Sequence, residues 1–193
     1  FTETFEAGGG EILFVSHSAD PSGAVQKTND YMTAYGDTDC IYATGEDYIT
    51  PAADVIKSRG ITDCKIYGSN ISPSVCQLIM DGQVEACTGG EFVCGSLAVT
   101  LLINYLDGNP IKDADGTAPY FDNLTQFMVT AENAEDFYEF LSDENLATHA
   151  ISDEEYQNLL VRNNPDVDYD YFYDFLTNYE ENVYAKVEAN AAQ

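Results

Sequence analysis

Short apolar runs recur along the first half of the chain at Ile12–Val15, Cys40–Thr44, Cys64–Tyr67 and Val84–Cys87. Each is followed by a longer stretch whose apolar residues return at helical spacing. Alternation of strand and helix predicts a parallel sheet. The helical stretches carry boundary chemistry: Ser22 opens 22–35 and Gly36 closes it, Thr50-Pro51 opens 50–59 and Gly60 closes it, and Ser72-Pro73 opens 72–81 and Gly82 closes it. A fourth helix, 91–107, ends at Gly108, and its run from Phe92 to Ile103 is apolar nearly all round, as suits a helix packed between layers.

Residues 109–123 read as a long loop and Leu124–Val129 as one more strand, followed by helical patterns at 133–141, 152–161 and 168–188. From residue 132 the composition shifts towards acidic and aromatic residues, most densely in Asp168-Tyr-Asp-Tyr-Phe-Tyr-Asp-Phe-Leu176. Aromatics at helical spacing mark a packing face more often than an interaction segment. The expected organisation is therefore an α/β lobe over residues 1–131 and a helical extension over 132–193 packed on it.

Charge narrows the partners. With 7 Lys and Arg against 34 Asp and Glu the formal charge is −27, so nucleic acid and anionic membrane are poor partners. No apolar run approaches the roughly 20 residues that span a bilayer, and Phe1 reads as a processed boundary of a chain that works in solution. The five cysteines, Cys40, Cys64, Cys76, Cys87 and Cys94, form no CxxC pair and are expected as buried thiols rather than a disulfide framework. Cys40 and Cys64 each follow Thr-Asp at the start of predicted neighbouring strands, which should bring them close.

Several chemistries are weighed and set aside. Ser16, His17, Ser18 and Asp20 supply the residue types of a hydrolytic triad, but no Gly-x-Ser-x-Gly elbow accompanies them. His17, Asp20, Glu46 and Asp47 could gather at strand ends around a metal, yet no ligand spacing supports it. Gly8-Gly9-Gly10 and Gly89-Gly90 do not have the spacing of a phosphate-cradling loop. The sequons at Asn70 and Asn123 receive no role. No cofactor, metal or catalytic residue is expected.

The stretch from Cys40-Ile-Tyr-Ala-Thr-Gly-Glu-Asp-Tyr-Ile-Thr-Pro to Arg59-Gly60 resembles the second lobe of type I periplasmic binding proteins and their LacI-like relatives. Lys65-Ile-Tyr-Gly-Ser-Asn, with Ser72 to Thr88 after it, is similar to that family's Gly-x-Asp passage. Glu11–Tyr35 resembles its opening strand, loop and helix, and Gly95–Gly108 its closing helix. The resemblance implies a solute held between two lobes at the carboxyl ends of parallel strands, where open α/β sheets bind ligands in general. By position it implies ligand contacts at Glu46, Asp47 and Asn70, and Asp20 completes the polar set at the strand ends. Two departures remove donors: Val25 stands where the family brings an Arg, and Gly89 where it has Gln or Asn.

The resemblance also implies that one strand-helix unit is missing between Tyr35 and Cys40, leaving strands in the order 1-2-3-4 from residue 11 onward. Right-handed crossovers would then set helices 22–35, 50–59 and 72–81 on one face, with helix 91–107 and the tail covering the other. The expected function is that of an extracytoplasmic solute-binding protein, periplasmic or a cell-surface lipoprotein. It would take a small polar solute such as a sugar and work with the permease of an ABC transporter and a first lobe or a homodimer partner. The competing expectation is a degenerate lobe serving as a structural or protein-interaction domain.

Overall fold

The computed structural model describes residues 2–142 and 150–192. A short helix α1 (Thr2–Ala7) precedes α2 (Pro21–Ala34), β1 (Cys40–Ala43), α3 (Glu46–Ser58), β2 (Lys65–Ser69), α4 (Pro73–Met80) and β3 (Ala86–Gly89). A 3-10 turn (Glu91–Val93) leads into α5 (Cys94–Leu106), and β4 (Phe127–Thr130), α6 (Ala134–Ser142), α7 (Asp153–Asn158), α8 (Tyr169–Thr177) and α9 (Tyr179–Ala191) follow.

Local chemistry sets the helix starts. Asp20 caps α2 by accepting the Gly23 N–H at 2.8 Å, and Ser72 caps α4 by accepting that of Val75 at 3.2 Å, each with proline at the first helical position. Helix α3 begins earlier than its Thr50-Pro51 dipeptide suggests. Pro51 lies inside it and has no N–H to offer the Asp47 carbonyl one turn back.

The sheet has the order β1-β2-β3-β4 among the described residues, parallel across β1-β2-β3 and antiparallel between β3 and β4. This is the α/β architecture expected, with two corrections. First, Ile12–Val15 forms no strand, so the predicted pairing of residues 11–16 with the strand at Cys40 does not exist. A strand needs a neighbour's edge to satisfy its backbone. Here the segment runs over the outer face of α2 instead, with the Phe14 ring 4.2 Å from that of Tyr31.

Second, the tail does not cover the second face of the sheet. Period-two alternation puts Ile66, Cys87, Phe127 and Val129 on one face, all buried, and Tyr42, Tyr67 and Met128 on the other, all exposed. Helix α6 packs beside α4, and α9 beside α6 and β4, on the buried side. Phe127 stacks on Phe137 at 4.9 Å, and Phe137 meets the Tyr184 ring edge-on. The tail widens one helical layer rather than building a second.

The same tail closes the outer edge of β4. The Tyr184 hydroxyl accepts the Met128 N–H at 2.8 Å and donates to the Met128 carbonyl at 2.9 Å, blunting an edge that would otherwise pair with other chains. The single helix predicted over 168–188 breaks at Asn178, where the Thr125 hydroxyl accepts the Glu180 N–H at 3.0 Å. That insertion uses residues predicted as the start of a strand, so β4 begins only at Phe127.

Candidate functional site

Register defines the edge at which the predicted residues meet. Ala43 is level with Gly68, and Ser69 with Thr88, so the chain leaves β1, β2 and β3 on one side of the sheet at Thr44, Asn70 and Gly90. Glu46 and Asp47 occupy the first turn of α3 there, Glu46 half-buried and Asp47 exposed. Asn70 is exposed at φ +74°, a left-handed conformation that asparagine tolerates better than most residues.

Asp20 reaches this edge from outside the sheet. The Tyr48 hydroxyl donates to the Ser18 carbonyl at 3.0 Å, and the Ser18 hydroxyl to the Asp20 carbonyl at 2.7 Å, tying the 18–20 loop to the first turn of α3. Asp20 is thus set beside the Glu46-Asp47 turn, although one of its carboxylate oxygens is already committed to capping α2. Asn70 stands on the next strand end. Carboxylates at the N-cap of α2 and in the first turn of α3 offset the partial positive charge of those helix ends.

The loss of a donor at Gly89 has a packing cause. A Cβ there would stand 2.3 Å from Ile71 Cγ2 and 2.7 Å from the Phe127 ring, so the core has closed over the position where a Gln or Asn would project. The carboxylate two residues on, Glu91, was missed in the sequence although it directly follows the strand-end glycines. Its Oε2 is buried without a hydrogen-bond partner, as is the hydroxyl of Tyr179. Burial, then the neighbouring Tyr156, Cys94, Glu91 and Glu155, push the Tyr179 hydroxyl far above its ordinary pKa. No local sequence signal links Tyr179, in the tail, to this edge.

In the Ser/His/Asp stretch the Ser18 hydroxyl donates to the Asp20 carbonyl and Asp20 Oδ1 accepts the Gly23 N–H, both bonds of a helix start. Among the described residues no group of three or more His, Cys, Asp or Glu is arranged to hold a metal ion. All five cysteines are free. Burial raises the Cys64 thiol to about 11, with ionised Cys40 contributing, and raises Cys76 and Cys87 to about 12 each. Cys64 immediately precedes Lys65, which is level with Cys40 in the sheet register, so the two cysteines lie near one another as expected. Cys94 is exposed, contrary to the expectation that the thiols are buried.

Residues 1–110 match the family model described as "Periplasmic binding protein domain". Among solved structures, a galactofuranose binding protein superimposes with a TM-score of 0.61 at 16% identity, covering 74% of this chain and 49% of that one. A periplasmic sugar-binding protein from Pseudomonas fluorescens gives 0.57 at 16%, with 79% and 45% covered. A sugar ABC transporter sugar-binding protein from Bacillus halodurans gives 0.57 at 19%, with 70% and 49% covered. The chain spans about half the length of each of these structures. No curated protein matches it.

Proposed function

Because the chain belongs to the periplasmic binding protein domain family, we propose that it captures a small polar solute of the sugar type as the carboxyl-terminal lobe of an extracytoplasmic solute-binding protein. The solute would be released unchanged to the permease of an ABC transporter. The observation that carries the reading is the meeting of Asp20, Glu46, Asp47 and Asn70 at the carboxyl edge of the sheet, where ligands settle in open α/β folds. Carboxylates and an amide accept and donate bonds to sugar hydroxyls without needing charge on the solute. The family is one of binding proteins, and the site holds acceptors with no activated nucleophile.

Isothermal titration of the full chain with D-galactose, D-ribose and L-arabinose tests this. At least one of them should bind, and Asp47→Ala with Asn70→Ala should weaken it tenfold or more, the loss of about 1.4 kcal/mol. Binding unaffected by the double substitution overturns the assignment of these residues, and binding of none overturns the function.

A second reading, a lobe that serves as a protein-interaction domain, is favoured by one observation. Val99, Leu102, Tyr105 and Leu106 lie exposed along α5, which carries no charged residue. Contiguous apolar surface of this kind marks contact sites, and the first lobe of a two-lobed binding protein would be one such contact.

A further inference from the structure

Helix α2 has two distinct faces, and the core uses one of them. Ala24, Thr28 and Met32 are buried on the side that packs on α3, four residues apart as one face of a helix requires. Gln26, Lys27, Asp30 and Tyr31 turn to another side, and with Tyr35 and Phe14 they line a cavity of about 500 Å³. Pockets that hold small molecules measure about 300–1,000 Å³.

The far wall of this cavity is the segment that forms no strand. Among the described residues, 11–17 take part in no hydrogen bond between the Gly10 N–H on the Phe5 carbonyl and the tie from Ser18 to Tyr48. The Phe14 ring on Tyr31 seats them, 4.2 Å away and tilted by 40°. Leu13, Phe14 and Val15 stand 40%, 51% and 66% exposed. A ring entering the groove would cover apolar surface now in water, against two aromatic faces already set for tilted or offset contact.

The polar groups of the groove are unspent. Lys27 and Lys186 are the half-buried cations among the described residues; Lys186 is paired with Glu155, whereas Lys27 makes no ion pair in a chain of charge −27. Asp30 lies one helical turn along, where opposite charges stand about 5–6 Å apart at Cβ and commonly pair. No ion pair joins them, and Gln26 and the hydroxyls of Tyr31 and Tyr35 have no hydrogen-bond partner among the described residues either.

Charge then restricts the ligand. A lone carboxylate would meet Asp30 and the field of the whole chain, and a lone ammonium would meet Lys27. A zwitterion suits both side chains and, neutral overall, enters the field at no net cost. An α-amino acid carries its two charges on one carbon, close enough to lie between side chains one turn apart.

We propose that this groove is a site for a free α-amino acid with an aromatic side chain, its carboxylate on Lys27, its ammonium on Asp30 and its ring against Phe14 and Tyr31. The site lies on the outer face of α2, apart from Glu46, Asp47 and Asn70, and does not rest on the solute-binding reading. Isothermal titration of the full chain with L-phenylalanine, hydrocinnamate, phenethylamine and L-alanine separates the parts of the ligand.

L-Phenylalanine should bind, and each of the other three at least tenfold more weakly, since each lacks one charge or the ring. Lys27→Met, which keeps an apolar stem, Asp30→Asn and Phe14→Ala should each weaken L-phenylalanine tenfold or more in proteins that melt as the parent does. Hydrocinnamate or phenethylamine bound as tightly as L-phenylalanine overturns the zwitterion. L-Phenylalanine held equally by the parent, Lys27→Met and Phe14→Ala lies elsewhere, which overturns the groove. If Lys27→Met loses a sugar together with the amino acid, the two sites are one and their separation is overturned. A parent that binds a sugar but no L-phenylalanine sinks this site and leaves the strand-end site standing; the reverse result sinks the solute-binding reading and leaves this site.

Discussion

The two faces of the sheet are made by the same strands and have opposite fates. On one, Ile66, Val129 and Phe127 are at most 1% exposed, under α3, α4, α6 and α9; on the other, Tyr67 and Met128 are 40% and 49% exposed. A parallel sheet ordinarily reads as continuous apolar runs because both faces are covered. Here Lys65-Ile-Tyr-Gly-Ser69 alternates instead, the pattern of a strand with one face in water. The difference teaches that crossover handedness and a monotonic strand order determine where helices can go, and that the tail follows the core already present.

The first way to break the comparison is to remove the tail. Deleting residues 152–193 takes away Leu159, Val167, Phe172, Leu176, Tyr179, Val183 and Val187, all buried on the core side. At roughly 1.5–3 kcal/mol for each large apolar side chain, the loss matches or exceeds the 5–15 kcal/mol typical of a whole domain. The truncated chain should lose its cooperative thermal transition and aggregate. A monomer with an unchanged melting temperature would mean that the extension is a separate interaction segment.

The comparison sharpens at a single strand. Ile66 is fully buried and Tyr67 beside it is not. Ile66→Ala should cost about 2–5 kcal/mol in denaturant unfolding, through lost transfer energy and the cavity left behind. An effect below about 1 kcal/mol would show that the core relaxes around β2 and is not close-packed there.

Much of this was legible in the sequence, and the limits are physical. Ser72-Pro73 and Gly82 are local signals, and they bound α4 as expected, with Gly82 at φ +71°. Helix starts, glycine stops and the apolar runs at 40, 64 and 84 depend on near neighbours only. Ile12–Val15 has an equally good strand pattern, but pairing depends on an edge supplied by another segment, which periodicity does not report. For the site, Glu46, Asp47 and Asn70 lie just beyond the ends of β1 and β2, as periodicity alone predicts, whereas Asp20 was expected after a first strand that does not form and is tied to the first turn of α3 through Ser18 and Tyr48 instead. Glu91 was one residue beyond the glycines yet hidden by its neighbourhood, and Tyr179 comes from a helix that no local pattern connects to β3.

The smallest effect is the most discriminating test of the open face. Tyr67→Ser removes a ring that stands largely in water, beside exposed Lys65 and on the same face as Tyr42 and Met128. Surface changes away from caps, cavities and networks shift stability by no more than about 0.5 kcal/mol, and part of even that reflects strand propensity rather than contact. Equilibrium unfolding of Tyr67→Ser in the full chain should therefore fall within about 0.5–1 kcal/mol of the parent. The m-value should stay the same, since it follows the surface exposed on unfolding. A loss of 2 kcal/mol or more, on the order of a large core truncation, would mean that the face is covered in solution. If that loss grew with protein concentration, the cover would be a second copy, held against the repulsion of two chains of charge −27, and raising the salt should then strengthen it.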